Sequence, residues 1–226
     1  MIALILITIN CLCFAYGWVL TERQLRSEAL LSRRLYQQPN MNTFDKRKPL
    51  IYGNFIGTCI VVLLAFSVFG FMFSLSTDFP FWELGLQLLV IMAIDDTWFY
   101  GCHRLLHHNT WLFKKVHSVH HRVRSPLPLD YLYVQPAEWM LGAIGILLGV
   151  VAIYLYCGEV NAYALFAYSF FRPLHEIHIH SGLPSKVMQR LKHMGSSEHH
   201  GAHHAKLKGN YASTFKWLDR FLKTHL

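Results

Sequence analysis

Hydrophobic and polar residues are segregated into long blocks along this chain. Residues 1–20 contain no charged side chain, nor do the 29 residues between Lys48 and Asp78, nor the 20 from Trp139 to Gly158. Each block suffices for a helix of about 20 residues, the length that crosses a hydrocarbon layer roughly 30 Å thick. Two weaker blocks follow the same pattern: Leu84 to about Gly101, interrupted by Asp95 and Asp96, and the shorter Val160 to Phe171. The pattern predicts an all-α integral membrane protein with about four to five transmembrane helices, the last one tilted or re-entrant. Residues 1–20 lack a positive n-region and an A-x-A-like cleavage site, so they read as a retained helix and not as a signal peptide. The polar run Gln38 to Lys48, with Pro39, predicts a turn that divides residues 1–48, a helix and a basic loop, from a body over 49–226.

Composition supports the membrane reading: 53% of the residues are hydrophobic and 15% charged, against about 25% charged in soluble domains. The five cysteines lie in or beside the apolar blocks and form no CxxC pair, which makes them small buried hydrophobes and not a disulfide framework. A net charge of +8 would suit nucleic acid if it formed one soluble face, but its placement argues against such a partner. Seven Lys/Arg fall in residues 21–48, five in 103–138 and nine in 172–226, the whole complement of 21, and none in the turns near 78–83 and 158–159. Positive charge marks the cytosolic side, so the three basic segments form a cytosolic cap and the N-terminus faces away.

The first 102 residues hold no histidine, and 14 of the 15 fall between His103 and His204. They form four clusters: H-R-L-L-H-H from His103, H-S-V-H-H from His117, H-E-I-H-I-H from His175 and H-H-G-A-H-H from His199. A lone histidine on an apolar helix is most often a core residue; four clusters on one membrane side are not explained that way. Residues three and four apart share a helix face, so His103 with His107, and His117 with His120 and His121, are expected to aim imidazoles at one point. His200, His203 and His204 repeat the second spacing. Together with His180 these make nine candidate ligands, and since a metal ion takes about three or four protein ligands, two ions are the economical reading. All-nitrogen sites with open positions fit iron that binds O2, while a hydrolytic di-zinc pair stays open at this point. Asp96, seven residues before His103, is expected to accept the far N–H of a ligand ring. His108, His193 and His225 are not expected to be ligands.

At these residues the sequence resembles the fatty acid hydroxylase and sterol desaturase superfamily of membrane di-iron enzymes, and within it the C4-methylsterol oxidases. The motifs are D-D-T-W-F-Y-G-C-H-R-L-L-H-H from Asp95, H-S-V-H-H from His117, R-P-L-H-E-I-H-I-H-S-G from Arg172, and H-H-G-A-H-H-A-K-L-K-G-N-Y-A-S-T-F-K-W-L-D-R from His199. Matched position by position, the family's boxes fall on His103 and His107, on His117, His120 and His121, on His180, and on His200, His203 and His204. The chain departs from the sterol pattern where it reads Gln135-Pro136-Ala137-Glu138 for His-Pro-x-Glu, Leu183-Pro184 after Ser181-Gly182, and Trp217-Leu218-Asp219-Arg220 near its end. The resemblance implies an O2-dependent monooxygenase with two irons, zinc being a possible substitute, acting on an aliphatic C–H of a sterol or fatty acyl lipid. The same site in a desaturase is the alternative, and a metal transporter the non-enzymatic one. Trp98, Tyr131, Tyr133 and Trp139 are expected to line the lipid's entry or anchor the interface. No flavin, nicotinamide or haem motif is present in the sequence, so electrons are expected from a separate protein of cytochrome b5 or ferredoxin type. The expected setting is the endoplasmic reticulum or a bacterial inner membrane, with the site facing the cytosol.

Overall fold

The computed structural model describes residues 1–36 and 44–226. Among them α-helices follow in the order α1 (Ile2–Leu25), α2 (Glu28–Ser32), α3 (Phe44–Phe69), α4 (Phe81–His108), α5 (Thr110–Leu112), α6 (Pro136–Cys157), α7 (Ala162–Ile179), α8 (Lys186–Arg190), α9 (Ser197–Lys206) and α10 (Trp217–Phe221). The long ones, α1, α3, α4, α6 and α7, fall on the five apolar blocks.

Three helices are long and apolar enough to cross a membrane: α1, α3 continued to Met72, and α6. Little of their apolar length is covered by protein. Leu64, Val68 and Leu155 point outwards, and helices apolar all round with no protein cover require a lipid surrounding. The inward faces of α4 and α7 are different, burying Gln87, Asp95, Asp96 and His103 on α4 and His175 on α7. Accordingly α4 packs on α6 and α7, while α1 packs on α7 and α3. The α4–α6 contact is backbone against backbone: a methyl group on Gly149 would lie 3.0 Å from Cα of Ile91, and one on Gly145 3.0 Å from Cα of Asp95. Small residues four apart permit this approach. Leu6, Ile91, Val150, Ile153, Leu165 and Tyr168 form the core between these helices. A second core, Phe44, Ile51, Leu127, Leu129 and Leu132, lies under the cap.

The structure departs from the sequence expectation in two places. Phe73–Ser74 pairs in parallel with Val160–Asn161, so the chain is not wholly α: the segments leaving α3 and α6 meet at the end away from the cap, where Gln87 accepts the Asn161 amide. Of the expected turn at 38–48, residues 38–43 lie outside the described residues, and residues 44–48 belong to α3. Asp45 in the first turn of α3 suits the positive end of the helix dipole and pairs with Lys48.

Candidate metal centre

The cap is assembled from the ends of α4 and α7 and from the loops beyond them. The last turns of α4 carry His103 and His107. The chain then reverses at Asn109, whose side chain accepts the amides of Trp111 and Leu112, and runs through a π-turn (Phe113–His117) and a 3-10 turn (His120–Arg122). His180 caps the end of α7. Ser196 caps α9 by accepting the His199 amide, and α9 carries His200, His203 and His204.

All nine candidate histidines come together, in two groups. His103, His107, His117, His121 and His203 form one, and His120, His180, His200 and His204 the other, with the donor atoms of each group within 4.8 Å of one another. In the first, His117 Nε2 lies 3.1 Å from His103 Nε2 and 2.9 Å from those of His107 and His121, and His203 Nε2 lies 3.1 Å from His121 Nε2. In the second, His200 Nε2 is 3.0 Å from His180 Nε2 and 3.1 Å from His204 Nε2.

Hydrogen bonds among the rings do not account for all of these contacts, since one Nε2 proton serves one acceptor and His117, His121 and His200 each meet two or more rings. The Nδ1 atoms of His103, His180, His203 and His204 face the carbonyls of Tyr211, Glu176, Gly209 and Val123 at 2.7 to 2.9 Å. A carbonyl only accepts, so each of these Nδ1 atoms carries the proton and the Nε2 atoms carry bare lone pairs. Burial first, and then neighbouring rings, hold His117, His120, His121, His200, His203 and His204 well below the ordinary value of 6.5, so no added proton relieves the repulsion at pH 7. A cation does. Ligand nitrogens about 2.1 Å from an ion and at right angles about it are roughly 3.0 Å apart, the separation observed. The residues therefore fit a metal ion in each group, with neutral imidazole, a ligand suited to iron, zinc or copper.

The spacing H-x-x-H-H does not aim all its rings at one point, as the sequence led us to expect. His117 and His121 enter the first group while His120 enters the second; His200 and His204 enter the second while His203 enters the first. Residues four apart stay together and the ring between them crosses over. In each run one backbone direction thus serves both groups.

Asp96 does not orient a ligand ring. Its Oδ1 accepts the amides of Thr214 and Phe215 at 2.9 and 3.3 Å, whereas His103 Nδ1 is satisfied by Tyr211. Seven residues of helix rise about 10 Å, beyond the reach of a short side chain. The carboxylates beside ligand rings are Glu138, which accepts from His117 Nδ1 at 2.7 Å, and Glu176, 3.4 Å from His180 Nδ1. Neither was singled out in the sequence: the first lies in the Pro-x-Glu run at 136–138, read there only as a departure from the sterol pattern, and the second inside the third histidine cluster. Arg172 pairs with both Glu176 and Asp95, and Asp95 also accepts from Tyr168. His175 binds the Ser213 carbonyl and His178 the Tyr16 hydroxyl, so His180 is the member of its cluster that joins a group. His199 pairs with Asp219, and His193 with Arg220; His108 and His225 also lie outside both groups.

An apolar cavity of about 560 Å³ lies between α1, α3, α6 and α7, walled by Leu6, Val62, Ile144, Leu165 and, towards the cap, by Trp139 and Arg172. Trp139 follows Glu138, and Arg172 pairs with Glu176, so each cap-side wall residue adjoins a carboxylate that touches a ligand ring. Of the other aromatic residues expected here, Trp98 donates to the Leu141 carbonyl, while Tyr131 and Tyr133 pack on the second core.

Residues 88–224 match the Fatty acid hydroxylase family. Among curated proteins, the chain is 32% identical over 160 residues to a methylsterol monooxygenase of Aspergillus fumigatus, covering 67% of this chain and 53% of that protein. It is 36% identical over 148 residues to methylsterol monooxygenase 1 of Rattus norvegicus, covering 64% and 48%. A very-long-chain aldehyde decarbonylase of Oryza sativa is 33% identical over 166 residues, covering 70% and 60%. The chain spans about half the length of the two methylsterol monooxygenases. No solved structure matches it.

Proposed function

The chain belongs to the fatty acid hydroxylase family, and from that premise we propose that it is a membrane monooxygenase that inserts one oxygen atom of O2 into an aliphatic C–H bond of a sterol or fatty acyl lipid. The observation that carries this reading is the convergence of bare imidazole lone pairs in two adjacent groups. Two ions, with iron as the proposed identity, would be held by His103, His107, His117, His121 and His203 and by His120, His180, His200 and His204. Bound iron would supply O2 activation, which no side chain offers.

The protein's own part is positional. Backbone carbonyls and Glu138 fix which nitrogen of His103, His117, His180, His203 and His204 faces inwards. Burial of eight of the nine rings keeps bulk water from the reacting centre. The apolar cavity would admit a lipid tail from the membrane, and its cap-side end at Trp139 and Arg172 adjoins Glu138 and Glu176, the carboxylates beside the ligand rings. The overall change is R–H + O2 + two electrons + two protons → R–OH + water, so an electron donor is required; a separate redox protein of cytochrome b5 or ferredoxin type fills this role. The basic segments support a cytosolic cap, and the reading has four or five helices in an endoplasmic reticulum or bacterial inner membrane.

The test is turnover of the iron-loaded protein with a reductase system, lipid and isotopically labelled O2. One labelled oxygen in the product is expected. Label arriving from water, or turnover without O2 and reductant, overturns the reading, and an O2-dependent product lighter by two hydrogens reassigns it to desaturation.

A further inference from the structure

Eight of the nine clustered rings are buried; His107 alone among them is half-buried. Its ring lies against Phe113, with centroids 5.4 Å apart, and faces the backbone of Leu207. Each of these neighbours sits in a pair of exposed cations: Lys114 and Lys115 follow Phe113, and Lys206 and Lys208 flank Leu207. No acidic residue occurs between Arg104 and Leu129 or between His199 and Leu218, so this charge has no compensation within its own segments. Among the described residues the second group shows no such opening. Its four rings are buried, Arg34 braces the backbone beside them, and the Tyr36 ring covers Gly201 of α9.

We propose that the basic face around His107 is the docking site of an acidic one-electron carrier protein. The inference rests on the monooxygenase reading, which requires two electrons per turnover and finds no redox cofactor motif in this sequence. Two encounters supply them: each oxidises one carrier by one electron, and the two electrons with two protons reduce the second oxygen atom of O2 to water. Uncompensated positive charge steers an acidic partner at rates that fall with salt, and here it steers the partner to the one clustered ring that reaches the surface. An anionic bilayer would feel the same charge but brings no electrons, which favours the protein.

The test uses the metal-loaded full chain in nanodiscs of neutral phosphatidylcholine, with the soluble acidic haem domain of a b5-type cytochrome as probe. Affinity and the rate of haem oxidation are both measured. Both are expected to fall about tenfold between low salt and about 0.3 M, where the screening length shortens to several Å, and about tenfold in Lys115→Glu with Lys208→Glu. Metal content and reduction by dithionite are expected to stay unchanged. Affinity indifferent to salt and to the double variant overturns the docking face, as does a loss seen only in discs containing anionic lipid, which marks a membrane-binding surface. Salt-sensitive affinity, lost in the variant, without O2-dependent product under any reductant instead overturns the monooxygenase reading and leaves the face as a protein-binding surface.

Discussion

The five-ring and four-ring groups draw on the same two H-x-x-H-H runs yet meet the rest of the protein differently. The first takes its remaining rings from the end of α4, is oriented by Glu138 and by the carbonyls of Tyr211 and Gly209, and reaches the surface at His107. The second takes His180 from the end of α7 and lies sealed under a strap in which buried Arg34 donates to Gln24, Ser125, and the carbonyls of Pro126 and Ser181. Equal local spacing therefore produces unequal surroundings: one group is richer in nitrogen and reachable from outside, the other poorer in nitrogen and enclosed.

Removing one ring from each group is the strongest way to break this comparison. His204→Ala leaves three ligands in the second group, and we expect metal content to fall from about two ions per chain to about one, with product formation lost. His107→Ala leaves four in the first and is expected to keep both ions, with slower turnover. Elemental analysis decides, and equal loss in both variants removes the distinction.

Acid is expected to act on both groups together. His117, His121 and His203 in the first and His120, His200 and His204 in the second are held neutral by burial. Their native pKa values lie below the unfolded value of about 6.5, so the unfolded chain takes up protons that the native chain refuses. Stability is present above about pH 6.5 and lost as pH falls, by about 1.4 kcal/mol per ring per unit. Melting of the metal-free protein in detergent between pH 8 and 5 measures this; a flat profile contradicts the burial of neutral rings.

Finer changes separate the groups again. Glu138→Gln weakens the orientation of His117, and we expect affinity in the first group to drop about 10- to 100-fold while the second keeps its ion, as metal titration would read. Arg34→Met strands two buried carbonyls, at about 1–3 kcal/mol each. It should lower the melting temperature and the second group's occupancy more than the first's.

Much of this was legible in the sequence, for physical reasons that also mark where legibility stops. Uncharged runs longer than the membrane's thickness disclosed α1, α3 and α6. The interrupted run at Leu84–Gly101 disclosed α4, whose acids lie on its buried face. Helical spacing picked out eight of the nine rings that cluster, and the family resemblance the ninth, His180. It did not assign them to groups, because consecutive helical residues point about 100° apart, so the middle ring of H-x-x-H-H diverges from the outer two, on the π and 3-10 turns of His117–His121 and on the regular helix α9 alike. Spacing also misplaced Asp96: a shared face does not bring side chains within reach across two turns. The carbonyls of Tyr211, Gly209 and Val123 left no signal, since any residue type supplies one.

The Arg34 strap also orders events in time. Arg34 bonds to Ser181, 147 positions further along the chain, and His121 meets His203 across 82. Contacts so distant in sequence close late, and during synthesis the N-terminal helix waits for α7 and α9 to emerge. Ribosome-bound chains lacking α9 therefore hold neither complete group, and loading of the proposed ions follows translation. Under the proposed function, a cell short of iron would accumulate finished chains with both groups unfilled.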